Sequence, residues 1–497
     1  MKIKPASPQA MELFLKGQQV FAKIEANGLR VDVDRLEKTL TNIAVDIEDK
    51  EEQLRNDSVF TEWKKRYREK TNLGSLPQLG TVLFDCLKVP YPFDRTATGR
   101  FRTDSDTLSK VDHPFVKEYS KLGDLTSIRG KLKGIQRELC GDRIHPSFNL
   151  ASGEEDKGGG ARSYRSSSSQ PNAQNLPIRD LYMARIIRPL FLPEIGDCWG
   201  EFDFSGIEVR ISACHNKDPN LIKYVTDSST DMHRDEAANL FFLSVDYLKQ
   251  YKDWAKRTIR DAAKNQWVFP QFYGSVWFQC AIPIWERMLK DQWILPDGIP
   301  MTEHLKNNGV KRLGRCIGGQ DPEPHTFGAH LKKCEGSLWN DRFPVYARWK
   351  RDTWTRYQET GQIRFPTGFI AQGHMRRNQT ANISIQGSSF HCELLTLIWM
   401  QEAIEKYRMK TRLTSTIHDS TNASIPPREL EDILEMAEEM MTRRLPKHWP
   451  WIIVPMSIEC EISGVDQSWY EKKLVSPISC PEQNKRLTFV HNRWEWQ

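Results

Sequence analysis

The chain has 497 residues, 39% hydrophobic and 27% charged, a length that accommodates about three domains or one large lobed molecule around a deep cleft. No apolar run approaches the ~20 residues of a membrane span, and the opening MKIKPASPQAMELFLKG lacks the apolar segment and cleavage site of a secretory signal. The formal charge of +6 permits binding to a polyanion without demanding it.

Apolar residues recur at helical spacing from Met11 to Ala26 and from Val33 to Leu54, with Asp34 placed to cap the second helix, so the first third reads as mainly helical. GEEDKGGGARSYRSSSSQPN at 153–172 reads as a loop. Over 180–215 the pattern shifts to short apolar runs, IIRPLFLP and WGEFDFSGIEVRISAC, which predict strand, turn, strand and the start of a helix. Helical periodicity returns over 234–275 and 327–360, separated by a Gly/Pro-rich loop near 314–324. The segments 411–425 and 452–463 are rich in Ile, Val and Thr and read as strands. The predicted sheet is therefore split in sequence by a helical insertion.

Ten cysteines run from Cys86 to Cys480 without a C-x-x-C pair. That suits reduced thiols in a cytoplasmic protein. Cys316, His325, His330 and Cys334 are ligand types that zinc accepts, at a spacing that matches no common zinc site. Basic residues gather at Lys64, Lys65, Arg66 and Arg68, at Lys131, Lys133 and Arg137, at Lys256, Arg257, Arg260 and Lys264, and at Arg376 and Arg377. Any one such run is more often a solvated helix face than a binding patch.

Asp203 closes an apparent strand between Phe202 and Phe204, and Asp419 sits at the tip of an apparent hairpin, TSTIHDSTNAS. Two carboxylates brought together from strand ends repel unless a cation lies between them. Two Mg²⁺ ions about 3.5–4 Å apart between such groups would clamp the attacking and leaving oxygens of a phosphoryl transfer. Alone, either Asp would simply cap a turn.

The surrounding wording decides between these readings. DFSGIEVR at 203–210 resembles motif A of the family A DNA polymerases (bacterial DNA polymerase I type), RDAAKNQWVFPQFYG at 260–274 resembles their motif B, and IHDS at 417–420 their motif C. QQVFAKIEANGLRVDVDRL, NLGSLPQLGTVLF, RIHPSFNL, SSSSQPNAQNLP, DMHRDEAANLF and RNQTANISIQGSS extend the resemblance over about nine-tenths of the chain, to about Trp469.

The resemblance implies an α+β fold, a right-hand polymerase with an antiparallel-sheet palm, helical fingers and a helical thumb. Its segments would be thumb 1–145, palm 146–233 and 383–470, fingers 234–382 and a C-terminal tail 471–497. It further implies template-directed addition of dNTPs to the primer 3′ end of a primer–template DNA, in replication or repair. The FPQFYG and HDS wording suggests a phage-type enzyme working in a bacterial or phage-infected cytoplasm. Thumb-like sequence begins within about 20 residues of Met1, so neither a 3′-5′ nor a 5′-3′ exonuclease is expected, and a separate exonuclease or processivity factor is an expected partner.

By the same resemblance Asp203 and Asp419 hold two Mg²⁺ ions, with the Phe204 carbonyl as a further ligand. Arg260 and Lys264, at i and i+4, and His233 face the triphosphate, while Phe269 and Tyr273 flank the nucleoside. Glu208 occupies the space a ribose 2′-OH would need, which separates this chain from single-subunit RNA polymerases. A catalytically dead DNA-binding protein would not explain the two aspartates together with Arg260 and Lys264. Arg165, Asn382, Gln386 and His418 match positions that touch the minor groove of the new duplex, where polar contacts test pair geometry with little sequence preference.

The chain departs from the family twice. Ser420 stands where many members carry a Glu after the motif C Asp, and Phe269 follows Lys264 by five residues instead of four. At about 100° per residue the extra position turns Phe269 away from Lys264 unless a π-bulge absorbs it. Pro270 also disfavours helix at Phe269. A bulged or kinked helix is expected, with Phe269 rather than Val268 in the aromatic role because that register keeps Tyr273–Gly274.

Overall fold

A computed structural model describes residues 2–91, 99–150, 165–177, 180–227, 229–417, 419–475, 487–490 and 493–496. Helix α1 (Pro8–Asn27) starts at Ser7, whose hydroxyl accepts from the Ala10 N–H. Helix α2 (Val33–Arg55) is capped by Asp32, which accepts from the Arg35 N–H. The expected cap, Asp34, instead lies inside the first turn. There a carboxylate favours the helix dipole but is past the extended position a cap requires. Helix α3 (Pro114–Arg137) packs along α2.

The strand β1 (Cys198–Phe204) leads through a turn at Gly206, φ 63°, into helix α4 (Ile207–Asn216). The preceding IIRPLFLP is mostly not a strand. It forms the end of a helix and a 3₁₀ turn, with only Phe191–Leu192 extended, because Pro189 cannot donate to a ladder. Helix α5 (Met232–Phe241) is followed by short helices and then by α6, built from Ile259–Ala262, a π-helical Ala263–Val268 and Phe269–Phe272. Helix α7 (Pro344–Thr360) ends the insertion, and the 30-residue helix α8 (Arg377–Lys406) follows it.

The chain then returns to the sheet with β2 (Arg412–Ile417) and β3 (Ser420–Ile425), a hairpin, and with β4 (Ile458–Val465) and β5 (Lys473–Val475). The order is β2-β3-β1-β4-β5, every neighbour antiparallel. Residues 452–457, expected as strand, are not in the ladder, where Pro455 interrupts the run.

Side chains alternate across β1. Cys198, Phe202 and Phe204 enter the larger core, which also holds α1, α8 and the helical insertion, while Trp199 joins the smaller core of α2, α3 and their neighbours. Asp203 shares the face of Trp199 and Glu201. Helix α1 thus belongs with the sheet rather than with the segment that follows it.

In the helical insertion Glu236 is buried, accepting from Trp267 Nε1 at 2.8 Å and paired with Arg342. Arg342→Met would strand that carboxylate and is expected to destabilise the region by about 3–5 kcal/mol. The measurement is backbone hydrogen exchange in Met232–Phe241, which should quicken; unchanged protection would mean that the pair contributes little.

Candidate active site

The two aspartates predicted to carry the chemistry meet where the central strand β1 ends beside the tip of the β2–β3 hairpin. Asp203 lies in register with Ser420 of β3 on one side and Glu459 of β4 on the other. The Phe204 N–H reaches the Asp419 carbonyl at 3.3 Å, which ties the hairpin tip to the end of β1. Arg210 holds the turn beneath, donating to the carbonyls of Ser205, Val225 and Pro455.

Burial, reinforced by Asp419 and then by Glu201, Glu393 and Glu459, pushes the Asp203 carboxyl up to about 8. Such a pair stays fully ionised only beside positive charge. Their oxygen donors suit a hard divalent cation whose other ligands come from backbone, water or phosphate. Among the described residues no group of three or more His, Cys, Asp or Glu is placed to hold a metal ion. Glu459 was not foreseen, although the alternation of Glu459 and Glu461 in a strand-like run was visible.

A cavity of about 430 Å³ opens on the pair, lined by Gln174, Asp180, Arg188, Glu201 and Trp469 as well as both aspartates. Glu201 accepts from Trp469 Nε1 at 2.7 Å and Lys472 Nζ at 2.6 Å, and Arg188 lies 4.1 Å over the Trp469 ring. These residues carried no recognisable motif, and their partners lie up to 268 positions away.

The π-turn in α6 is the expected bulge. The Phe269 N–H bonds to the Lys264 carbonyl five residues back, and Phe269 keeps helical angles, φ −62° and ψ −48°, despite Pro270. In consequence Lys264 Nζ sits 5.6 Å from the Phe269 ring centroid and Tyr273 6.4 Å from it. Val268 is fully buried, and Phe272 packs on Trp339, Phe343 and Tyr346. Gly274, φ 90°, closes the segment so tightly that a Cβ would lie 2.6 Å from Asn378 Cβ, which is why Tyr-Gly fixes the register.

Arg260 is already engaged, its Nε donating to Asp231 at 2.7 Å, whereas Lys264 has no ion pair among the described residues. His233 stands edge-on to Phe269 at 5.6 Å, and burial, helped by Arg260, depresses its imidazole to about 4. At neutral pH it offers a hydrogen bond rather than a charge. Glu208, with Phe269, Tyr273, Tyr346 and Asn382, lines a narrow cleft, and burial followed by Asp419 raises its carboxyl to about 7.

Of the four residues expected at a duplex, Arg165 pairs with Glu208 and Asn382 donates to the Tyr273 carbonyl at 2.8 Å. Gln386 follows one turn along α8, and His418 lies outside the described residues. Beside Phe272 and Gly274, the neighbours of Tyr273, a cavity of about 740 Å³ is lined by Lys332, Lys350, Arg351, Arg376 and Arg377 together with Glu335. Lys350 lies 3.1 Å over the Trp339 ring, and burial lowers its ammonium to about 7. The zinc-type cluster does not assemble. His330 Nε2 reaches the Asn239 and Leu240 carbonyls and Cys334, while Cys316 bonds to the Gly314 carbonyl.

Residues 37–282 match the family model described as DNA polymerase family A. DNA polymerase I of Bacillus subtilis is 26% identical over 465 residues, covering 91% of this chain and 45% of that protein. The Synechocystis sp. DNA polymerase I is 31% identical over 462 residues, 92% and 42% respectively. A DNA polymerase of Bacillus phage SP01 is 23% identical over 397 residues, 75% of this chain and 37% of the relative. The chain thus spans less than half the length of these curated relatives. Among solved structures, the POL domain of Pol1 from M. smegmatis in complex with DNA primer-template and dNTP superposes with a TM-score of 0.69 at 24% identity, covering 92% of this chain and 70% of that one.

Proposed function

Since the chain belongs to DNA polymerase family A, we propose that it extends primer–template DNA with dNTPs at the end of the central strand, where Asp203 and Asp419 meet. The observation that carries this reading is Glu208, which lines one cleft with Phe269 and Tyr273 of the bulged helix and lies near enough to Asp419 to feel its charge, so that the helix and the aspartate pair share a neighbourhood. The sheet then serves as palm, the helical insertion as fingers and the α2–α3 region as thumb.

Two magnesium ions, when bound at Asp203 and Asp419, would supply the activation of the primer 3′ oxygen and the stabilisation of the leaving pyrophosphate. The chain's own residues do the rest. Lys264, and Arg260 through its Asp231 pair, place positive charge where the triphosphate lies. His233 donates a hydrogen bond to it, and Phe269 and Tyr273 present ring faces to the base and sugar. Arg165, Asn382, Gln386 and His418 follow the minor groove of the duplex, and the cavity rich in Lys and Arg beside Phe272 and Gly274 receives the template strand. The bacterial and phage relatives fit a cytoplasmic setting, with a separate exonuclease or processivity factor as partner. Among the described residues no helix is long and apolar enough to cross a membrane.

The direct test is extension of a defined primer–template with each dNTP omitted in turn, which should halt one position before the missing base; untemplated addition, or none, overturns the proposal. Glu208→Ala should raise ribonucleotide incorporation relative to dNTP at least tenfold by vacating the space beside the sugar. An unchanged ratio would remove Glu208 from that role. Phe269→Tyr should raise dideoxynucleotide incorporation at least tenfold. That needs about 1.4 kcal/mol, within reach of one hydrogen bond from the new hydroxyl. The core residue Phe272 gives the contrast. If Phe272→Tyr shifts the ratio and Phe269→Tyr does not, the aromatic role belongs to the other register.

A further inference from the structure

A cavity of about 550 Å³ lies behind α8, and it shares no lining residue with the cavities at Asp203, at Glu208 or beside Gly274. Its wall on α8 is Ser384, two positions from Asn382 and so rotated about 200° from the face that meets the Tyr273 carbonyl. Cys214 and His215, at the far end of α4 from Glu208, and Trp349 and Thr353 of α7 supply much of the remainder.

Two features set this cavity apart from an ordinary surface recess. The rings of Trp349 and Trp451 are half-buried, and both meet His215 edge-on, at 6.0 and 5.8 Å. Burial holds the His215 imidazole down at about 4, so the aromatic wall is uncharged at neutral pH. Around it stand three exposed cations, Lys217, Arg356 and Arg364, and the lining contains no Asp or Glu. Cations gathered without carboxylates repel one another and favour an anion between them. Trp451 Nε1 and Thr353 Oγ1 are buried in the same region with no hydrogen-bond partner among the described residues. Unpaired buried polar atoms are rare enough that two in one cavity wall call for a partner from outside the fold.

We propose that this cavity is a second nucleotide site, separate from the polymerase cleft. It takes one nucleoside phosphate, with the base against the indoles of Trp349 and Trp451 and the phosphate among Lys217, Arg356 and Arg364. Stacking faces combined with a cationic rim hold single-stranded nucleic acid or a nucleotide with little sequence preference. The same chemistry serves a free nucleotide and one unit of a single strand, and no catalytic role is assigned to it.

The test uses the full chain in EDTA with an unlabelled hairpin primer–template saturating the cleft. Fluorescein-labelled oligo(dT) of eight nucleotides and, separately, N-methylanthraniloyl-dAMP are titrated in and followed by fluorescence anisotropy. Saturable binding that weakens at least tenfold in the double variant Arg356→Glu with Arg364→Glu, and in Trp451→Ala, is the expected result. Binding of the oligonucleotide alone identifies a strand site, and binding of both identifies a nucleotide site. The two arginines are exposed, so their reversal should leave primer extension within about twofold and serves as the folding control should Trp451→Ala fail to fold. No saturable binding of either probe, or equal affinity in the arginine variant, overturns the proposal. A hairpin that does not bind would count against the polymerase reading instead, and the probes would then be titrated alone with the same variants.

Discussion

Asp203→Ala and Asp419→Ala are each expected to lower Mg²⁺-dependent primer extension at least a thousandfold, a loss of about 4 kcal/mol of transition-state stabilisation. Binding of duplex primer–template should change little. Asp203 lies near the end of β1 and Asp419 at the tip of the β2–β3 hairpin, joined through the Phe204 N–H and the Asp419 carbonyl, so neither can replace the other. Each Ala also removes like charge from a crowded site, and burial already holds Asp203 up at about 8. Melting temperature should therefore hold or rise while activity collapses. Extension within tenfold of wild type in either variant would end the assignment of these residues as the reactive pair, and a large fall in duplex affinity would give them a binding role instead.

The second large effect separates the two cations of α6. Lys264→Ala should lower kcat about 10²-fold or more, the scale expected when a charge aimed at a developing anion is removed. Arg260→Ala should cost less, because Arg260 already gives its Nε to Asp231. Its removal also frees that carboxylate, however, so Arg260→Ala with Asp231→Asn should recover part of the loss. Single-turnover extension at saturating dNTP measures both. If Arg260→Ala proves the more damaging and the double variant brings no recovery, Arg260 rather than Lys264 is the principal triphosphate contact.

Much of this arrangement was legible along the chain because it is written in local pattern. The strand-turn-helix at Asp203, the hairpin at Asp419 and the helical insertion between them follow from periodicity and turn residues. The π-turn in α6 followed from counting. One residue too many between Lys264 and Phe269, with Tyr-Gly fixed behind, left a bulge as the way to keep both on one face. Local reasoning failed where two neighbours competed for one role, as with Asp32 and Asp34 at the start of α2. It also failed where a proline sat inside an apolar run, as in IIRPLFLP and at Pro455.

The sequence by itself therefore determined the order of the motifs, the family, and which residue types reach the site, because backbone sterics and side-chain periodicity act over a few residues. Tertiary structure alone decided how those residues are committed. It ties Arg260 to Asp231, pairs Arg165 with Glu208, sets Glu459 beside Asp203, and leaves Lys264 without an ion pair among the described residues. It also gathers Lys217, Trp349, Arg364 and Trp451 around one cavity. The physical reason is that burial and charge pairing are set by whichever segments the fold brings within a few ångströms. That information lies in the packing of the whole chain and not in any stretch of it.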